Sequence, residues 1–468
     1  MRETCNLRHA SAALALSLAL VLGGCDMAPR YGRPANPAPP QWPQGAAYGP
    51  ADENAPGLAW RDLIGDARLR KVIETALAGN RDLRATLANV AAARAQYHVE
   101  RSYQLPAVTA GADASATRGL KTGARDTQSY DANIGFSAFE LDLFGRLRDQ
   151  SKAAFESYLA TQSGLRAARL TLVAETATAY TTLASDMDLL RIAQDTARSG
   201  QRSLDLNQSL FTAGLASAGD VQDAITVVEQ AKSDIAAQTT LVAQDRNALE
   251  LLAGGPLPDE LIPQSLAELD RSIAKVPAGL SSSVLRERPD VVEAEHQLKA
   301  SYAAIGEARA AFFPAISLTS ALGFASSALS DLLKDASLTA SGTASASLPL
   351  AGGTYKGDLE YARAERDYYR ATYEATVLSA FRDVADALAR RGTIADQRQA
   401  QARLVDAAAR SYALADEQYR AGAESYITAL SAQRTLYAAR DTQVAAILAD
   451  VTNRVTLYAA IGADASLQ

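Results

Sequence analysis

The chain has 468 residues, of which 48% are hydrophobic and 21% charged, and its formal net charge is −7. That mild acidity argues against a nucleic-acid partner, for which a basic surface supplies most of the affinity. Two cysteines and three histidines leave little material for a disulfide framework or a metal centre.

Arg2 and Arg8 precede an apolar run from Ala12 to Leu22 that stops at Leu22, Gly23, Gly24 and Cys25. A basic start, a short apolar stretch and small residues describe a secretory signal. The run falls short of the roughly 20 apolar residues a permanent spanning helix needs. Leu-Gly-Gly-Cys resembles a bacterial lipobox, in which the cysteine thiol receives a diacylglycerol, so Cys25 is the expected lipid attachment site and residues 1–24 the signal. Cleavage removes two positive charges and one negative, taking the formal net charge from −7 to −8, and leaves Cys25 as the only cysteine. No disulfide can then form within one chain. From Pro29 to Pro50 prolines recur at 34, 37, 39, 40 and 43, which favours extended chain over a packed element. Residues 25–58 are therefore expected to form a tether from the lipid.

From Pro106 onward the pattern alternates. Val108, Ala110, Ala112, Ala114 and Ala116 fall on one side, with Thr109, Gly111, Asp113, Ser115 and Thr117 on the other. After a polar turn, Tyr130, Ala132, Ile134, Phe136 and Ala138 alternate with Asp131, Asn133, Gly135 and Ser137. These are two strands of period two, at about 107–118 and 129–142, joined as a hairpin. A second pair follows at about 314–325 and 336–349, where serines and threonines from Ser337 to Ser347 interleave with Leu338, Ala340, Gly342, Ala344, Ala346 and Leu348. Strands that are apolar on one face and polar on the other suit a membrane barrel or a soluble sandwich with one wet face. Four strands cannot close a barrel, for which eight is the usual minimum, so a membrane location requires several chains to share one.

Between the strand pairs lie long proline-free stretches, Arg146 to Phe211 and Lys356 to Tyr419. About 65 residues of helix would reach roughly 100 Å. Val173, Ala177, Tyr180, Ala184 and Met187 carry heptad spacing, as do Tyr437, Val444, Val451 and Tyr458 with Leu448 and Val455 between. Many of these seam positions are alanine, which lets helices approach closely. Gly214 and Gly422 mark helical-hairpin turns, after which Asp220 to Leu252 and Ser425 to Ala460 return along the first helices.

A fixed shift of 208 residues relates the two halves. It carries Asp82 to Asp290, Pro106 to Pro314, Gly214 to Gly422 and Gly254 to Gly462. The unit duplicated is far longer than the 20 to 50 residues of solenoid repeats. The expected boundaries are a first repeat over 59–264 with its helical hairpin at about 146–253, a linker over 265–280, a second repeat over 281–462 with its hairpin at about 356–460, and a tail over 463–468.

Several landmarks resemble the TolC-like outer membrane factors, in particular the NodT-type lipoprotein branch that serves resistance-nodulation-division (RND) pumps. Pro29, Tyr31, Arg33 and Pro34 are similar to the Pro-x-Tyr-x-Arg-Pro that follows the lipidated cysteine there. Trp60, Asp66, Leu69, Leu77, Asn80, Asp82 and Leu83 resemble the first helices. The run from Glu140 to Arg146 resembles the end of the second strand. Arg288, Pro289, Asp290, Glu295, Gly306, Ala308, Arg309, Phe312, Phe313 and Pro314 resemble the opening of the second repeat, and Leu348 to Gly353 its strand exit. This resemblance implies an α+β membrane protein: a homotrimer whose four strands per chain make a 12-stranded β-barrel, continuous with a long α-helical periplasmic barrel. It further implies outer membrane lipids as surroundings, and a periplasmic adaptor and an inner-membrane RND-type pump as partners at the Gly214 and Gly422 tips. Small toxic compounds would pass outward. An exit duct for type I protein secretion and a non-channel coiled-coil lipoprotein are the alternatives.

Some family members close the periplasmic end with aspartates six and nine residues beyond the second turn glycine, where this chain has Thr428 and Ser431. In the first repeat those offsets hold Asp220 and Asp223, three apart and on one helix face. They are the candidate gate, although Ser217 and Asp220 also read as a helix-capping arrangement. Asp26, directly after Cys25, departs from outer-membrane lipoprotein sorting in enteric bacteria. Only His98 and His296 remain after signal removal, in neither metal nor triad spacing, so no enzyme, no metal and no cofactor beyond the Cys25 lipid are expected.

Overall fold

The computed structural model describes residues 26–49, 59–120, 126–276 and 282–467. Cys25, with its signal segment and its lipidation, lies outside them. Nine helices labelled here precede and follow four strands in chain order: α1 (Trp60–Leu63), α2 (Ala67–Gly79), α3 (Arg81–Ser102), β1 (Val108–Thr117), β2 (Thr127–Leu141), α4 (Arg146–Thr212), α5 (Ala218–Ala253), α6 (Leu266–Ser272), α7 (Pro289–Ala310), β3 (Ala315–Ser326), β4 (Leu338–Ser347), α8 (Tyr355–Arg420) and α9 (Tyr426–Ile461). The 208-residue offset holds residue for residue between α3 and α7 and between α5 and α9. It also relates three pairs of left-handed glycines, Gly145 with Gly353, Gly214 with Gly422 and Gly254 with Gly462.

The fold divides into two compact units. One combines the described part of Met1–Ala35 with Asn89–Gln162 and Glu293–Glu374; the other comprises Asn36–Ala88, Ser163–Val292 and Ala375–Gln468 within the described residues.

The first unit is built on an antiparallel sheet in the order β1-β2-β3-β4. Register decides its chemistry. Val108 pairs with Phe136, Ala110 with Ile134, Ala112 with Ala132 and Ala114 with Tyr130. Ile134 pairs with Leu322 and Ala132 with Phe324, which in turn pair with Ala340 and Leu338. Directly opposed residues share a face, so one apolar face crosses all four strands. The other carries Thr109, Asp113, Asn133, Thr319, Ser341 and Thr343. The alternation expected through Ala138 stops short of it, because a bulge lies between Phe136 and Phe139. Ala138 takes φ +52° and its N–H donates to Thr319 Oγ1 at 3.0 Å. One inserted residue returns Phe139 to the face of Phe136, and their rings meet edge-on at 6.2 Å. Gly135 needs to lack a side chain, since a Cβ there would lie 2.8 Å from Ala321 Cα on β3.

Where a tether was expected over 25–58, its described part, residues 26–49, is held down at several points. In the first unit Tyr31 donates to Glu295 at 3.1 Å, and Arg33 and Lys299 pair with the same carboxylate. Burial raises the Glu295 carboxyl, but hydrogen bonds and charge from Arg33 and Lys299 outweigh it and hold the group below its usual range. In the second unit Trp42 stacks on Phe381 at 4.9 Å, and Ser282 donates to the Pro40 carbonyl at 2.8 Å.

The second unit has an ordinary buried core around Trp60, Leu63, Ile64, Leu69, Ile73, Leu266, Leu269 and Ile273. Residues 265–276, expected as a linker, contribute α6 to it. Ser265 caps that helix by accepting from Glu268 N–H, and Asp270 binds both Arg398 and Arg454. Of the heptad positions, Val173, Ala177, Tyr180, Ala184, Val444, Val451, Val455 and Tyr458 are buried. Gly254 ends α5 at φ +81°, with Gly79 at the end of α2 so close that a Cβ would lie 2.5 Å from its carbonyl carbon.

Carboxyl groups also lie against one another among the helices. Burial, followed by the charge of Asp186, pushes Asp245 up to about 6. Burial, followed by Asp234, pushes Asp441 up to about 6. Acids raised above an unfolded value of about 3.9 weaken the fold as pH climbs from there through the folded value. Asp245→Asn should therefore raise the thermal midpoint near pH 7.5, with the gain over the parent shrinking as pH falls from about 6 towards about 3.9; thermal unfolding followed by circular dichroism across that range measures it. Gly254→Ala should lower the midpoint, since the left-handed backbone alone costs about 1–2 kcal/mol, whereas Gly255→Ala, with open space around it, should leave it unchanged.

Candidate functional site

The sheet of the first unit is uncovered. Every residue of β1 and of β4 is exposed, and no further strand pairs with either among the described residues. Two open edges and an apolar face crossing four strands describe a piece of barrel wall, with strands of 10 to 15 residues, near the roughly 9–11 that cross a bilayer obliquely. The aromatic and branched residues Phe136, Ile134, Leu322, Phe324 and Leu338 would face lipid. The hydroxyl-rich side would face water.

The second unit carries the hairpin ends. At the first turn Gly214 adopts φ +72° and at the second Gly422 adopts φ +73°. The bonds match: Leu215 N–H reaches the Leu210 carbonyl at 2.8 Å, and Ala423 N–H reaches Gln418 at 2.9 Å. This is the six-to-one closure of a helix ending on a left-handed residue. Neither glycine has an atom near its missing side chain, so backbone conformation and not space requires it. Phe211, Leu215 and Ile427 are exposed around these turns.

Asp220 and Asp223 lie on one face of α5, half-buried. Asp220 completes the capping box read in the sequence: Ser217 Oγ accepts from Asp220 N–H at 3.1 Å, and the Asp220 carboxylate accepts from Ser217 N–H at 2.9 Å. At the equivalent start of α9, Ser425 makes no such cap; its hydroxyl meets that of Thr428 at 3.2 Å. Both aspartates also act on tyrosines of the second hairpin. Burial and then Asp220 raise Tyr419. Burial, Tyr419, Tyr412 and then Asp223 push Tyr426 up to about 12.

Contacts between the hairpins lie beside these residues, and the sequence patterns did not single them out. Tyr419 donates to Asn207 at 2.8 Å, Ser199 and Tyr412 share a hydrogen bond at 3.1 Å, and Arg434 donates to Thr226 at 3.0 Å. Leu204, Ala224, Val227, Val228, Tyr426 and Leu430 form the apolar packing between them. One signal was available. Arg434 and Thr226 are 208 apart, so equivalent positions of the two repeats face each other. His296 is paired with Glu156 at 2.6 Å, and among the described residues no three acidic, histidine or cysteine side chains gather as a metal site would need.

A family model described as outer membrane efflux protein matches residues 72–255 and again 280–463, two spans separated by the same 208 residues. The chain is 41% identical over 453 residues to the probable efflux pump outer membrane protein TtgC of Pseudomonas putida, covering 95% of this chain and 93% of that protein. Its structure resembles that of a membrane protein from Pseudomonas aeruginosa, at 35% identity and a TM-score of 0.88, over 94% of this chain and all of that one. It also resembles the open state of the Neisseria gonorrhoeae MtrE outer membrane channel, at 32% identity and a TM-score of 0.85, over 94% and 98% of the two chains. The fold is thus that of the trimeric outer membrane channels, with four strands per chain completing a 12-stranded barrel and long helical hairpins in each of the two repeats. With both halves matched by one family model and nearly the whole length aligned to efflux-pump components, this chain belongs to the outer membrane efflux protein family.

Proposed function

We propose that this outer membrane efflux channel is the exit duct of a tripartite system, receiving small toxic compounds from an inner-membrane pump of the RND type through a periplasmic adaptor that docks at the Gly214 and Gly422 tips. The observation that carries the duct is the sheet. Its two faces differ in polarity across all four strands and its two edges are open, an arrangement stable in lipid only when identical chains close it. The reading assigns the chain no catalysis and no cofactor. It places a lipid on Cys25, with the following segment pinned by Glu295 as described. Asp220, besides its capping bond, and Asp223 are assigned a further role: three copies of each make acidic rings that favour cations at the periplasmic constriction.

Purified protein in a planar bilayer should conduct ions as one trimeric channel, with cations preferred. Absence of conductance would refute the duct. Replacing Asp220 and Asp223 together by Asn keeps at position 220 an oxygen able to accept from Ser217 N–H and should reduce cation selectivity with the trimer intact; unchanged selectivity would leave Asp220 a cap and Asp223 a surface residue. Cys25→Ser should abolish labelling by a radioactive fatty acid and leave uncleaved precursor, and lipid persisting on that variant would exclude Cys25 as the attachment site.

A further inference from the structure

Between the two hairpins of the second unit lies a cavity of about 220 Å³, walled by α4 and α5 on one side and α9 on the other. Its polar groups are unevenly satisfied. Asp234 accepts from Gln230 and from Tyr437, both at 2.9 Å. Gln433, only 7% exposed, has an amide Nε2 without a hydrogen-bond partner. A buried donor left unmade is costly, and side chains of this kind are usually satisfied by protein, water or ligand. Beside it Arg434 reaches a neutral hydroxyl, Thr226 Oγ1, and no carboxylate lies within ion-pair distance of it among the described residues. Val227 and Ala231 give the cavity an apolar wall.

We infer that this cavity binds a small carboxylate with an apolar body. The carboxylate accepts from Gln433 Nε2 and pairs with the Arg434 guanidinium, and the body lies against Val227 and Ala231. Asp234 is the opposing charge, and its hydrogen bonds to Gln230 and Tyr437 keep it engaged while the ligand's head is drawn to Arg434. The volume is below the usual range for drug-sized ligands, about 300–1,000 Å³, which suits a compact molecule and excludes a folded chain. An occupant touches both hairpins. It therefore braces the packing that the Tyr419–Asn207 and Arg434–Thr226 bonds make.

The test uses the full trimeric protein in lipid nanodiscs and 4-phenylbutyrate as the probe, with 4-phenylbutylamine as the charge-reversed control, followed by titration calorimetry. Saturable binding of one phenylbutyrate per chain is expected, with none of the amine. Gln433→Glu keeps the shape but removes the donor and adds a negative charge, and Arg434→Ala removes the cation; each loses a charge-assisted hydrogen bond and should weaken binding by about tenfold or more. No saturable binding to the parent, equal binding of the amine, or undiminished binding to either variant overturns the inference. A diazirine-bearing phenylbutyrate on the unaltered protein supplies a reading independent of variant folding. Label in peptides spanning 226–234 or 433–437 supports the site, and label confined elsewhere overturns it.

Discussion

Backbone hydrogen bonding in lipid is the constraint on which the rest of this molecule depends. A bilayer core offers nothing to an unpaired N–H or carbonyl, so strands survive there only in a closed barrel. This chain supplies a sheet of four strands with both edges open. Its contribution is therefore incomplete by construction, and closing it requires copies of itself. The same constraint explains why β1 and β4 can spend nearly all their length on alanine, serine, threonine and glycine: pairing and lipid stabilise them in place of a dense core.

The duplication sets how the helices complement that sheet. Each repeat delivers two strands and one long hairpin, and the glycine pairs at 145 and 353, 214 and 422, and 254 and 462 recur where the chain must turn through a left-handed conformation. Equivalent positions are then free to diverge chemically. Ser217 and Asp220 form a reciprocal cap, whereas Ser425 and Thr428, one repeat later, share a weaker hydroxyl pair. Asymmetry built on a symmetric backbone places acid on the first hairpin and tyrosine on the second, so that the two are chemically complementary where they meet.

Packing between the hairpins mixes small apolar residues with polar bonds and raised carboxyl groups. Alanine seams allow close approach but bury little area per residue, about 25 cal/mol for each Å², so polar contacts such as Tyr437 with Asp234 carry more of the specificity than in a leucine-rich core. Such an interface can rearrange, because hydrogen bonds between half-exposed groups can be exchanged at small cost.

Period and punctuation made much of this legible in the residues alone. The alternation at Val108 to Thr117 and Ser337 to Ser347, the long proline-free runs, Gly214 and Gly422 and the 208-residue register are local properties, each set by a single residue's conformational preference or side-chain polarity. Residues that depend on a distant partner were not legible. The bulge at Ala138 is visible only when β2 lies on β3, the docking of Tyr31 and Arg33 requires Glu295, and α6 within 265–276 draws its stability from Arg398 and Arg454. Asn207, Gln433 and Arg434 read in the sequence as unremarkable helix residues. Only the tertiary structure, by laying one hairpin on the other, decided that the first is satisfied, the second is buried with a free donor and the third has no carboxylate within ion-pair distance among the described residues, because hydrogen-bond satisfaction belongs to pairs of residues brought together and cannot be read from either one.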